Sequence, residues 1–315
     1  MPKESIKRID LDAGLKKKVL PLCRLKPGEI WTDPKNGHKI GCLDISNKNQ
    51  IDELMDKKLS VLSVQDPPYN IKIGKSFSDN LHKNPLEKYI DWSKQWVSNV
   101  DSILKQNAHF YVWLGADQME AFQPLPDFMI MMRQFPQLKS RSFLTMRNQR
   151  GYGTQKNWMA IRQELLYYVK GKPKFNIEAE YTDIPKILKG YYKVVNGNLT
   201  SNMERSKSDT IRAGNVWVDI QQVFFLMHEN VPGCYAQKPI KAIERIVKAS
   251  SDEKDIVVDF FAHSGSTLMA CEINKRKCYT LDNDPIFAEI AIRRLERFRK
   301  TGELGWQTSS PFPEI

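Results

Sequence analysis

Apolar and polar positions along this chain alternate between two periods. Residues 61–64, 109–114 and 256–258 form short apolar runs rich in β-branched or aromatic residues, each followed by turn-forming residues, as buried strands are. Between them lie stretches with a helical repeat. Residues 85–104 place Tyr89, Trp92, Trp96, Val97, Val100, Ile103 and Leu104 on one helical face, a stripe that predicts core packing. A polar helix is predicted over 48–57, and apolar ones over 128–135 and 268–273. A last helix opens at Asp284 as N-cap and Pro285 at its first turn, with Ile286, Phe287, Ile290, Ala291 and Leu295 inward. Residues 29–32 and 38–43 read as a hairpin around Asn36-Gly37. Strands alternating with helices predict an open α/β sheet with mostly parallel pairing.

The pattern weakens in the middle. Strands are predicted at 141–146 and 165–169, and 147–158 between them reads as a loop in which Arg147, Arg150 and Lys156 interleave with glycines and aromatics. Cations for phosphate and rings for stacking suit a nucleic-acid contact, although a solvated basic loop has the same composition. From 171 to 230 the apolar periodicity fades and basic residues recur, Arg205 and Arg212 among them. A structureless connection of that length would be unusual inside a compact domain. The expected organisation is a basic extension and hairpin at 1–38, one half-domain at 39–170, a distinct segment at 171–230 and a second half-domain at 231–315. Residues 1–27 suggest no role of their own.

Composition changes this picture in one respect. Across 315 residues, 41% hydrophobic and 27% charged content is ordinary, but a net charge of +11 favours a polyanionic partner as well as solubility. No apolar run approaches the roughly 18–20 residues of a membrane span. The lysine-rich start lacks the apolar centre of a signal peptide. The five cysteines show no metal-ligand spacing and read as free thiols of a metal-free protein in a reducing, intracellular compartment.

Two stretches carry candidate chemistry. Asp66-Pro67-Pro68-Tyr69 ends the first apolar strand. Two prolines stop ladder pairing and stiffen the chain, leaving one carboxylate, free carbonyls and one aromatic face. A flat heterocycle bearing an amine fits such a corner: carboxylate and carbonyl each accept one N–H, and the ring stacks on Tyr69. A rigid turn without chemistry is the plain alternative. Far downstream, Asp259-Phe260-Phe261-Ala262-His263-Ser264-Gly265-Ser266-Thr267 joins a strand to a helix, where small residues let backbone N–H groups approach a ligand. Asp282 ends the next strand, where α/β proteins hold ribose hydroxyls.

At these residues the chain resembles the S-adenosylmethionine-dependent DNA amino-methyltransferases. Asp66-Pro67-Pro68-Tyr69 is similar to their catalytic motif. Phe261, Ser264, Gly265 and Thr267 match the motif that binds the cofactor's methionine portion, whereas Phe260 replaces its proline and His263 its first glycine. Gln237-Lys238-Pro239 resembles a further family element, and the motif order is that of the β class. The resemblance implies a Rossmann-like sheet, mostly parallel with one antiparallel edge strand, and a target-recognition insert at 171–230. It implies S-adenosylmethionine at Lys238, Pro239, Asp259, Phe261, Ala262, His263, Ser264, Gly265, Thr267 and Asp282. It implies transfer to adenine N6, or to cytosine N4, of a flipped base in duplex DNA, with Arg147, Arg150, Lys156, Arg205 and Arg212 as DNA contacts. A cognate restriction endonuclease, a homodimer and a prokaryotic cytoplasm follow in the same terms. A DNA-binding module whose cofactor site has decayed at His263, and an RNA methyltransferase, are the competing readings.

Overall fold

The computed structural model describes residues 9, 12–68, 86–115, 124–154, 157–177, 181–187, 190–203 and 208–315, with backbone alone at 148–154, 157, 159–160, 190–191 and 200–203. Helix α1 (Ala13–Val19) precedes the hairpin β1 (Ile30–Thr32) and β2 (Lys39–Cys42). Then come α2 (Lys48–Met55), β3 (Ser60–Gln65), α3 (Leu86–Ile103), β4 (Leu104–Leu114) and α4 (Pro124–Met132). Two long strands follow, β5 (Leu138–Thr154) and β6 (Asn157–Lys170), then β7 (Tyr181–Pro185), β8 (Gly190–Val195), β9 (Asn198–Met203), β10 (Thr210–Arg212) and β11 (Val216–Trp217). The chain closes with α5 (Ile240–Ser250), β12 (Ile256–Asp259), α6 (Ser266–Ile273), β13 (Lys277–Asp282) and α7 (Pro285–Thr301).

Among the described residues, nine strands form one sheet in the order β1-β2-β13-β12-β3-β4-β6-β5-β11. The strands from β2 to β4 run parallel, which requires helical crossovers. The expected antiparallel edge strand is β1, and a second antiparallel strand, β6, lies inside the sheet between β4 and β5. Side chains alternate between faces. Leu62, Val64 and Val257 point to a core shared with α5, α6 and α7. Val258, Phe110 and Val112 point to a second core, against α2, α3 and α4. The predicted aromatic stripe of α3 fills that second core, with Tyr89 and Trp96 almost wholly buried. Each such side chain contributes about 1.5–3 kcal/mol by leaving water.

Three features depart from the sequence-based expectation. Residues 147–154 and 157–158 continue β5 and β6 as a paired hairpin, with Arg147 opposite Arg162 and Tyr152 opposite Ala160. Gly151, Gly153 and the polar residues around them hide this strand in the sequence, because they show no period-two alternation of apolar and polar positions. Residues 171–230, which showed no clear periodicity, contain paired strands: β7 pairs β10 and β8 pairs β9 apart from the main sheet, while β11 joins that sheet beside β5. Finally, the unassigned start forms α1, capped by the Asp12 carboxylate, which accepts from Leu15 N–H at 2.9 Å. A third apolar cluster joins Ile9 and Val19 to Ile286, Phe287 and Ile290 of α7 and to Trp306 and Phe312.

Candidate functional site

The site grows from the two central strands. From β3 the chain proceeds through α3 to β4 on one side, and from β12 through α6 to β13 on the other, so strand order reverses between them. Open α/β sheets bind ligands outside the carboxyl ends of strands at such a point. There β3 delivers Asp66 and β12 delivers Asp259. Buried Gln65 ties the two ends together: its Oε1 accepts from Phe260 N–H at 3.0 Å, and its Nε2 donates to the Ser63 hydroxyl at 2.8 Å. Gln65 carried no motif signal beyond being polar in an apolar strand.

Asp66 is half-buried, at 27% side-chain exposure. Its Oδ2 accepts from Lys238 Nζ at 2.7 Å. Its Oδ1 is buried and, among the described residues, has no hydrogen-bond partner. Burial pushes the Asp66 pKa up, and the Lys238 ammonium pulls it back. Pro67 is buried and Pro68 half-buried, and Tyr69 lies outside the described residues. Lys238, expected as a cofactor residue, thus directs its ammonium at the Asp66 corner, 5.3 Å from the centre of the Trp113 ring. Its carbonyl accepts from the Ser266 hydroxyl at 2.8 Å. Pro239 is the N-cap residue of α5, and Glu229 completes that helix end by accepting from Ile240 N–H at 2.8 Å.

The glycine turn lies across the crevice. Asp259 Oδ1 accepts from Phe261 N–H at 3.0 Å, and burial pushes this carboxyl up to about 6 against the pull of the Thr267 hydroxyl. Phe261 leans edge-on against Trp92 and Trp96, at 5.9 and 5.6 Å between centroids. Ala262 N–H donates to Leu281 O. His263 adopts φ +43°, and its ring packs on Phe287 at 4.9 Å. The glycine it replaces would take that conformation without strain. Gly265, at φ +74°, opens α6 with no side chain capping the helix, so the first N–H groups of α6 face the turn. A Cβ at Gly265 would lie 3.1 Å from Ala291 Cα. Asp282 accepts from His263 N–H and Asp284 N–H, both at 3.0 Å, and burial pushes it up to about 7.

Arg294 of α7 supports this turn from below and was not singled out by the sequence. It is fully buried and donates to the carbonyls of Ser264 at 2.7 Å, Glu229 at 2.8 Å and Leu304 at 2.7 Å. Desolvation lowers its pKa to about 10.

One crevice therefore gathers Asp66, Lys238, Asp259, Phe261, Ala262, His263, Ser264 and Thr267, joined by Val64, Trp113, Ile243 and Ser266. Pro239, Gly265 and Asp282 adjoin it through the contacts above. Of the expected DNA contacts, Arg147 and Arg212 do not line this crevice. Arg147 on β5 and Arg212 on β10 are exposed, the side chain of Arg150 lies outside the described residues, and so do Lys156 and Arg205.

An open α/β sheet with a glycine turn after one central strand and an acid ending the next defines a protein that binds a nucleoside-bearing ligand at its switch point. More narrowly, this chain belongs to the DNA methylase family of the N6 and N4 type, whose profile matches residues 61–293. It is 26% identical over 238 residues to the type II methyltransferase M.HpaI of Haemophilus parainfluenzae, covering 75% of this chain and 68% of that protein. It is 27% identical over 253 residues to the DNA adenine methyltransferase YhdJ of Escherichia coli, covering 76% and 79%. The PvuII DNA methyltransferase, a cytosine-N4-specific enzyme, shares the fold at TM-score 0.52 and 15% identity over 76% of this chain and 83% of its own. So does a DNA modification methylase homologue of Thermus thermophilus, TTHA0409, solved with S-adenosyl-L-methionine, at TM-score 0.51 and 18% identity over 79% and 91%.

Proposed function

We propose that this protein is a site-specific DNA methyltransferase that moves a methyl group from S-adenosylmethionine to adenine N6 of a base turned out of the duplex. The observation that carries this reading is Asp66 Oδ1, a buried carboxylate oxygen without a partner among the described residues, at the switch point and beside the glycine turn. An acceptor-only oxygen and the Pro67 carbonyl suit the two hydrogens of an exocyclic amine. Holding both draws the nitrogen lone pair out of ring conjugation and aims it at the glycine turn, so that orientation and fixed dipoles lower the barrier. Tyr69 stacks on the base, and flipping is required because the amine is out of reach within the stack.

The residues present suit the cofactor. Asp282 offers a carboxylate for ribose hydroxyls, and the uncapped start of α6 offers N–H groups for a carboxylate. Asp259, Phe261, Ala262, His263, Ser264, Gly265 and Thr267 form the rest of that cradle, with Pro239 at the start of α5. When bound, the cofactor supplies an activated methyl group.

Adenine is favoured by Asp at the first motif position and by the name of the E. coli relative. Cytosine N4 is the second reading, favoured by the specificity of the PvuII enzyme. Arg147, Arg150, Lys156, Arg205 and Arg212 contact phosphates, and the segment 171–230 reads the target sequence. The type II names of the relatives favour a cognate restriction endonuclease and an intracellular place of action, and the family resemblance favours a homodimer. Incubating it with S-adenosylmethionine and unmethylated DNA, then identifying the digested nucleosides by mass spectrometry, tests the reading. N6-methyladenine is expected. N4-methylcytosine would transfer the activity to the other base, and neither product, with no cofactor binding, would leave a DNA-binding module.

A further inference from the structure

Lys238 is engaged on two sides at once. Its side chain is 6% exposed, its ammonium lies 2.7 Å from Asp66 Oδ2 and rests over the Trp113 ring, and its carbonyl holds the Ser266 hydroxyl at the start of α6. A carboxylate has two oxygens, and the ion pair takes one of them. The other, Oδ1, is left buried and available. We propose that Lys238 is a positioning residue for methyl transfer: it fixes the Asp66 carboxylate as an anion with only Oδ1 free for the incoming amine, and it couples that corner mechanically to the cofactor turn. The inference rests on the reading of Asp66 as the amine acceptor.

Three consequences follow from the geometry. Pairing with a buried ammonium holds a carboxylate in one rotamer, and the amine meets a single acceptor direction instead of two. The pair also opposes the burial that favours the neutral acid. The titratable groups facing Asp66 in the crevice are Lys238 from the lead into α5, Asp259 from the end of β12, whose own carboxyl the Asp66 charge helps push up, and His263 on the turn. Removing Lys238 therefore leaves Asp66 with its burial and without the ammonium that offsets it. Finally, the bond from Ser266 goes to the backbone of Lys238, so replacing the side chain leaves it in place.

Lys238→Met and Lys238→Arg test the proposal in the full-length protein. For Lys238→Met, turnover at saturating substrates should fall about a hundredfold at neutral pH, a loss of the size seen when one preorganised charged contact is removed. The acid limb of the pH–rate profile should move to higher pH, because the ammonium that favours the Asp66 anion is gone, while calorimetric affinity for S-adenosylmethionine stays within about threefold. Lys238→Arg should restore the wild-type acid limb, which a variant that merely folds poorly would not do. Loss of cofactor affinity with an unmoved acid limb would make Lys238 a cofactor ligand and overturn the proposal, and so would unchanged turnover. Asp66→Asn serves as the control: full activity there would remove the reading of Asp66 itself, whatever Lys238 does.

Discussion

Three residues of the crevice can be separated by measurement. Asp66→Ala removes the proposed amine acceptor but touches no part of the glycine turn. Transfer should drop by about a thousandfold or more while the dissociation constant for S-adenosylmethionine, read by calorimetry, changes less than about twofold. Asp282 gives a pH signature. Its carboxyl is pushed up to about 7 by burial, so the proposed grip on two ribose hydroxyls needs a pH above that value, and below it the group carries a proton of its own. Cofactor affinity should therefore rise between about pH 6 and pH 8, and Asp282→Asn should flatten that rise. His263 holds a left-handed backbone, which costs a side-chain-bearing residue about 1–2 kcal/mol, and regains part of this by packing on Phe287. His263→Gly exchanges one effect for the other, so cofactor affinity should stay within about threefold. A tenfold gain would show that the ring obstructs the turn.

Elements hold the crevice in shape through contacts that the motifs do not include. Gly265 lies against α7 so closely that a Cβ would meet Ala291 Cα at 3.1 Å and its Cβ at 3.2 Å, with φ at +74° besides. Gly265→Ala should lower unfolding free energy in urea by about 2–4 kcal/mol and weaken cofactor binding with it. Arg294 joins α7 to the turn and to the lead into α5 through three backbone carbonyls. Each buried carbonyl left without its donor costs about 1–3 kcal/mol. Arg294→Met should thus cost about 3 kcal/mol or more in the same urea assay, although the guanidinium touches nothing that reacts.

At the scale of the molecule, charge and topology divide the work. A net charge of +11 draws DNA from any direction, and the sheet decides where one base is handled. DNA affinity should fall steeply with salt, by a slope of about 0.9 per neutralised phosphate. Arg212 is exposed on β10, apart from the main sheet. If it meets a phosphate, Arg212→Ala should reduce the slope by about one without altering sequence preference, as measured by binding titrations across salt. The β5–β6 hairpin extends past Glu164, the partner of Leu114 at the carboxyl end of β4, and so projects beyond the sheet edge that carries Asp66. That hairpin was read as a loop because glycines and polar residues interleave along 147–158 and break the apolar alternation that marks a strand.

What the sequence alone determined was local. The proline corner after β3, the aromatic face of α3, the cap at Asp284 and the glycine turn before α6 each depend on residues a few positions apart, and each was legible in the order of the chain. What only the tertiary structure decided was which distant residues complete one another. Lys238 lies 172 residues from the carboxylate it holds, and Phe260 lies 195 residues from the Gln65 side chain that accepts its N–H. Neither Lys238 nor Gln65 announces such a partner by spacing. A buried polar side chain takes its meaning from the atom the fold brings within hydrogen-bond reach: parallel pairing of β3 with β12 does this for Gln65 and Phe260, and the packing of α5 on β3 does it for Lys238 and Asp66.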